Sequence, residues 1–214
     1  MTRSDLTHLY VLLDRSGSMQ SIKSDIVGGF DAFVTEQRSA TGECRMTLAR
    51  FDNEYELVFA DVPITQVGSL VLEPRGSTAL LDSIGRFVVD AGARLAALPE
   101  HDRPGTVVVA VMTDGFENAS REWRHASIKA LVDQQTKDYG WQFLYMGADQ
   151  DAVEVGQGLG IAADHAMTWS RGSAKAAMGA TSAMVADLRR ARVANPAAGM
   201  RAYTEQERAE ATAE

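Results

Sequence analysis

Along this chain, short unbroken hydrophobic runs alternate with segments in which apolar residues recur every three or four positions. The first run, residues 8–13, predicts a strand buried on both faces. Ile22, Ile26, Phe30, Phe33 and Val34 then mark one face of a helix that ends near Gly42. In residues 45–51 Met46, Leu48 and Phe51 largely alternate with polar neighbours, and after Asp52-Asn53-Glu54 a second run covers 55–62. Two such runs around a short turn predict an antiparallel hairpin at one edge of a sheet. Residues 63–77 are a Pro- and Gly-punctuated connection. Leu80, Ile84, Phe87 or Val88, Ala91 and Leu95 predict a helix starting near Thr78, and Pro99 and Pro104 bound a surface loop. Residues 106–114, TVVVAVMTD, form a near-continuous hydrophobic run of the kind found at the centre of a parallel sheet. The remaining pattern predicts a helix over 120–138, a strand over 141–147, a short helix over 150–159, a short strand over 165–169 and a last helix over 173–192.

The order β-α-β-β-α-β-α-β-α-β-α predicts an α/β protein: a Rossmann-like, open, mostly parallel sheet of about six strands. One antiparallel strand lies at an edge, and helices cover both faces. One domain over 1–195 is expected, with 196–214 as a partly disordered tail. The last ten residues, EQERAEATAE, carry four acids and one base and present no apolar face. Composition agrees with a soluble globular chain of 214 residues, 45% hydrophobic and 23% charged. A net charge of −8 argues against partners that demand clustered positive charge, such as nucleic acid or an anionic membrane. Cys44 is the only cysteine, so an internal disulfide and a cysteine-based zinc or redox site are excluded. The first apolar run is only five residues long and no later run nears the about 18 of a membrane span, so a cytoplasmic protein is expected.

Ligands of such sheets bind at the carboxyl ends of the parallel strands, where strand order reverses. Three segments bring oxygen-bearing side chains to that edge: Asp14-Arg15-Ser16-Gly17-Ser18 after the first strand, Ser77-Thr78 at a helix start, and Thr113-Asp114-Gly115 after the central strand. In an extended loop alternate side chains point the same way, so Asp14, Ser16 and Ser18 can converge, and Gly17 permits a tight turn. Carboxylates and hydroxyls without imidazole or thiolate suit a hard divalent cation, Mg²⁺ first and Mn²⁺ next. The same residues are also good helix caps and turn formers, which is the structural alternative at each of the three segments.

DRSGS, the Thr of GSTAL, and TDG after a hydrophobic strand resemble the von Willebrand factor type A (VWA) domain and its metal-ion-dependent adhesion site (MIDAS) over roughly residues 8–190. DRSGSM, PRGSTALLDSIGR, TDGFENASREW and YMGADQDA are similar to small stand-alone bacterial and phage proteins of that type. The resemblance implies that Asp14, Ser16, Ser18, Thr78 and Asp114 hold Mg²⁺ or Mn²⁺ and that an Asp or Glu of a partner protein completes the shell. It also implies a shift of the last helix when the ligands rearrange, and partners such as ring-forming ATPases or stress-response components.

Two other functions fit parts of the pattern. A Mg²⁺-dependent phosphohydrolase with Asp14 as nucleophile would resemble the haloacid dehalogenase group. That chemistry needs a general acid two residues later, where Ser16 stands, so no catalytic residue is assigned and a non-enzyme is expected. A structural or assembly protein with a vestigial site is the third reading. Asp149 and Asp151 are expected to cap the short helix, and Glu117 to be an ordinary solvated acid. His8, His101, His125 and His165 lack ligand spacing. Trp123, Trp141 and Trp169 are expected in the packing, and Arg189, Arg190 and Arg192 on a solvated face.

Overall fold

The computed structural model describes residues 2–213; Met1 and Glu214, the ends of the expected domain and tail, lie outside the described residues. The strands are β1 (Arg3–Asp14), β2 (Glu43–Phe51), β3 (Tyr55–Pro63), β4 (Pro104–Thr113), β5 (Gln142–Ala148) and β6 (Ala166–Trp169). The helices are α1 (Lys23–Ser39), α2 (Leu80–Ala97), α3 (His125–Tyr139), α4 (Ala152–Gly158), α5 (Ala174–Ala194) and α6 (Glu205–Ala211). Among the described residues the six strands form one sheet, in the order β3-β2-β1-β4-β5-β6. Every neighbouring pair is parallel except β2–β3, which is the expected antiparallel hairpin. The open, mostly parallel sheet read from the periodicity is therefore the one that forms.

Period-two alternation divides the core into two layers. On β1, Leu9, Val11 and Leu13 face one layer while Tyr10 and Leu12 face the other. On β4, Val108, Ala110 and Met112 join the first layer and Val107, Val109 and Val111 the second. The first layer is closed by α1 and α5, through Ile26, Phe30, Phe33, Met184, Val185 and Leu188. The second is closed by α2 and α3, through Ile84, Phe87, Val88, Ile128 and Val132. Because both faces are covered, the central strands need apolar side chains at consecutive positions, which explains the unbroken runs.

Three expectations change. The helix expected from residue 120 begins at His125. The preceding backbone is held in a loop by two carboxylates: Asp82 accepts N–H bonds from Arg121, Glu122 and Trp123, and Glu117 accepts them from Ala119 and Ser120. The basic cluster on α5 is mostly not solvated. Arg189 is 2% exposed and donates to the carbonyls of Gln37, Ala40 and Gly42, acceptors left open where α1 ends. Arg192 is buried too and donates to Ala198 and Gly105, so Arg190 alone of the three projects outward.

The expected disordered tail is instead a strap. Tyr203 and Ala211 are buried in the first layer, and the Tyr203 hydroxyl shares a 2.7 Å hydrogen bond with Thr181 Oγ1. A capping box starts α6: Glu207 N donates to Thr204 Oγ1 and Thr204 N to Glu207 Oε2. Arg208 reaches across to the carbonyl of Ala166, the first residue of β6, and to that of Ala163 in the turn before it. Tyr203 and Ala211, with Met200 packed against the same cluster, thus anchor the segment to the first layer.

Candidate metal centre

Two parallel neighbours, β1 and β4, run side by side at the middle of the sheet, and the chain leaves them toward opposite faces. Their carboxyl ends form the switch point where such sheets bind ligands. Asp14 is the last residue of β1, and Asp114 follows the last residue of β4. Ser16 and Ser18 lie in the loop and 3-10 turn that lead to α1, and Thr78 stands two residues before α2.

Most side-chain contacts at this edge run from oxygen to oxygen. Thr113 Oγ1 donates to Asp14 Oδ2 at 2.6 Å, and Ser16 N donates to Asp14 Oδ1 at 2.6 Å. Ser16 Oγ and Ser18 Oγ are 3.1 Å apart, and Ser18 Oγ donates to Asp114 Oδ1 at 2.6 Å. Thr78 joins them through Gly115: a Cβ at Gly115 would stand 2.8 Å from Thr78 Oγ1 and 3.6 Å from Asp14 Oδ2, a space that glycine alone leaves open. The structure therefore brings all five expected residues to one place. Helix capping does not account for them, since the α1 and α2 starts have no side-chain cap bond and Thr78 is fixed by its backbone, its N–H donating to Asn118 Oδ1 and its carbonyl accepting from Asn118 N. Asp14, by accepting from Ser16 N, does make the turn contact of the structural alternative.

The carboxylates are in an environment that penalises their charge. Asp14 is fully buried, and burial pushes its carboxyl up to about 6, against hydrogen bonds from Thr113 and Ser16 that favour the charged form. Burial raises Asp114 as well, opposed by Ser18 and by Arg171. Asp114 Oδ2 is buried and has no hydrogen-bond partner, its one ion-pair neighbour among the described residues being Arg171 Nη2 at 3.5 Å. A buried, ionisable oxygen in that state is costly unless a positive group faces it. Two carboxylates and three hydroxyls fit a hard divalent cation in charge and donor type, and these five residues are the ones that would hold it. Among the described residues no three His, Cys, Asp or Glu side chains gather as a metal group.

Beneath the ligands, three loops are laced by one buried acid that the sequence presented as an ordinary turn residue. Asp52 Oδ2 accepts from Arg15 Nε at 3.0 Å and from Arg75 Nε at 2.8 Å, while its carbonyl accepts from Ala79 N. Arg75 N in turn donates to Arg15 O, and Gly17 N to Gly76 O. The hairpin turn, the serine loop and the loop before α2 are thereby fixed to each other. Glu117 is no solvated acid either: its Oε2 accepts from Leu81 N, covering an open amide at the start of α2. Asp151 caps α4 as expected, accepting from Val153 N and Glu154 N, whereas Asp149 accepts from Arg171 Nε at 2.6 Å. Of the histidines and tryptophans, His8 is buried against Thr47, and Trp141 and Trp169 are core residues.

A scan of the sequence against protein-family models finds no match, and a search of curated proteins finds none either. Solved structures do match. The vWF domain of the type V pili tip protein Mfa5 from Porphyromonas gingivalis superimposes with a TM-score of 0.59 at 12% identity, covering 84% of this chain and 94% of that one. The pilus adhesin SpaC from Lactobacillus rhamnosus GG gives 0.59 at 12%, covering 84% of this chain and 30% of that one. The ArnB paralog VWA2 from Sulfolobus acidocaldarius gives 0.53 at 13%, covering 83% of this chain and 44% of that one. This chain thus spans under half the length of the last two. At such identities the likeness concerns backbone architecture, and with the strand order and hairpin above it shows that the chain has the von Willebrand factor type A fold.

Proposed function

We propose that the protein is a divalent-metal-dependent protein-interaction module. Mg²⁺ or Mn²⁺ is held by Asp14, Ser16, Ser18, Thr78 and Asp114, and an Asp or Glu of a partner completes its shell. The observation that carries this reading is Asp114 Oδ2, a buried carboxylate oxygen without a hydrogen bond, set beside a second buried carboxylate and a ring of hydroxyls. Two protein carboxylates balance one dication and leave it able to accept an outside acid. Fold neighbours that include a pilus adhesin and a pilus tip protein support an interaction role. Ser16 stands two residues after Asp14, where a phosphohydrolase with Asp14 as nucleophile needs its general acid, and this favours the interaction module. Among the described residues no helix is long and apolar enough to cross a membrane.

The test is calorimetric titration of EDTA-stripped protein with Mg²⁺ and with Mn²⁺, beside Asp14→Ala. One-site binding that disappears in the variant is the expected result. A folded wild type that takes up neither ion would remove the proposal.

A further inference from the structure

Arg171 lies in the connection between β6 and α5, on the same edge of the sheet as the candidate centre. Its guanidinium joins three loops. Nε donates to Asp149 Oδ2 at 2.6 Å, Nη1 donates to Ser21 Oγ at 3.2 Å, and Nη2 stands 3.5 Å from Asp114 Oδ2. That last atom is the buried oxygen without a hydrogen bond. The connection is firmly seated on both sides of the arginine. Ser170 N donates to Ala211 O at 2.9 Å, Ser170 Oγ to Thr212 O at 3.3 Å, and Ser173 Oγ to Ala213 O at 2.7 Å. Asp149 is held too: it adopts a left-handed φ of 51°, rare for a residue other than glycine, with its N–H bonded to Trp169 O.

We propose that Arg171 is an internal cation of the centre, one that faces Asp114 in place of the metal and lowers the affinity for a divalent ion. This deepens the reading above and rests on it. A guanidinium keeps its proton at any physiological pH, so it cannot withdraw its charge when a metal arrives. Asp149 compensates part of that charge and anchors the group in position. A dication taking Asp114 Oδ2 must therefore either push Arg171 aside or accept its repulsion. Even at water-like screening, a positive charge this near to a dication weakens binding by about tenfold. The arginine supplies a permanent counter-charge to Asp114 and turns metal loading into a competition between two cations.

The experiment titrates EDTA-stripped wild type, Arg171→Gln and Arg171→Lys with Mg²⁺ and Mn²⁺ by calorimetry, with thermal unfolding of each to confirm the fold. Arg171→Gln is expected to bind about tenfold more tightly or better, and Arg171→Lys, which keeps the charge, to stay near wild type. Equal or weaker binding by folded Arg171→Gln, with wild type binding normally, overturns the role of Arg171 and leaves the metal centre standing. No binding by any of the three folded proteins overturns the metal centre, and this proposal with it.

Discussion

Replacing Asp14 by asparagine should stabilise the metal-free protein, although it deletes one of the two hydrogen bonds that the carboxylate accepts. The Asp14 carboxyl moves from an ordinary 3.8 to about 6, chiefly through burial. Its native form therefore holds an extra proton between those values. The associated stability is complete below 3.8 and is lost as pH rises through about 6. At neutral pH the ionised group costs about 3 kcal/mol, at roughly 1.4 kcal/mol per pH unit. Asparagine removes that cost but keeps one acceptor where the carboxylate used two, for Thr113 and Ser16. A lost hydrogen bond returns about 1 kcal/mol, so the variant should gain about 2 kcal/mol, equivalent to roughly 4–8 °C in a domain of this size. Urea unfolding in excess EDTA at neutral pH measures the difference, and repeating it at lower pH should shrink the gain as the wild-type carboxyl takes up its proton. Excess Mg²⁺ should reverse the ranking, because only the wild type then binds a ligand that favours the native state. A variant less stable than wild type in EDTA would refute the reasoning and make Asp14 a turn-forming residue.

Three further results are expected. Gly115→Ala places a methyl 2.8 Å from Thr78 Oγ1, so it should weaken Mg²⁺ binding by about tenfold or more in a protein that still folds, read by calorimetry and circular dichroism. Tyr203→Ala empties a fully packed site under the strap and should cost about 3 kcal/mol in urea unfolding; a change below about 1 kcal/mol would mean that the strap adds little to the fold. Burial pushes the His8 imidazole down to about 4, below its ordinary 6.5, so its contribution is complete above 6.5 and is lost as pH falls through about 4. Its ring signals in an NMR titration should stay those of the neutral form at pH 6; a midpoint near 6.5 would contradict the buried placement.

Much of this was legible in the chain because its signals are local. The β4 run is apolar at successive positions because both faces of that strand are covered, and Asp14, Ser16 and Ser18 converge because their spacing is set within one loop. What was not legible depends on partners distant in sequence. Nothing near Arg171 announces Asp114 and Asp149, and nothing near Asp52 announces Arg15 and Arg75. The burial of Arg189 follows from where α1 ends, a matter of how two helices meet. The start of α3 shifted because Asp82, forty residues upstream of Glu122, takes amides that a helix would have used. The strap is a different case: Thr204-x-x-Glu207 is a capping-box signature, readable in the sequence, and it was outweighed by the lack of an apolar face around it.

Arg208 and α6 also bear on how molecules of this protein meet each other. The exposed backbone of an outer strand is a template on which another chain can add a strand. At β6 that template is blocked, since α6 lies alongside and Arg208 occupies the Ala166 carbonyl. At the opposite margin β3 pairs irregularly with β2, with register shifts and a left-handed Asp61, and it carries charges at Glu56 and Asp61. Irregular pairing and charge are the features that discourage strand addition there. With one margin covered and the other discouraged, the sheet is poorly suited to sideways polymerisation by strand addition.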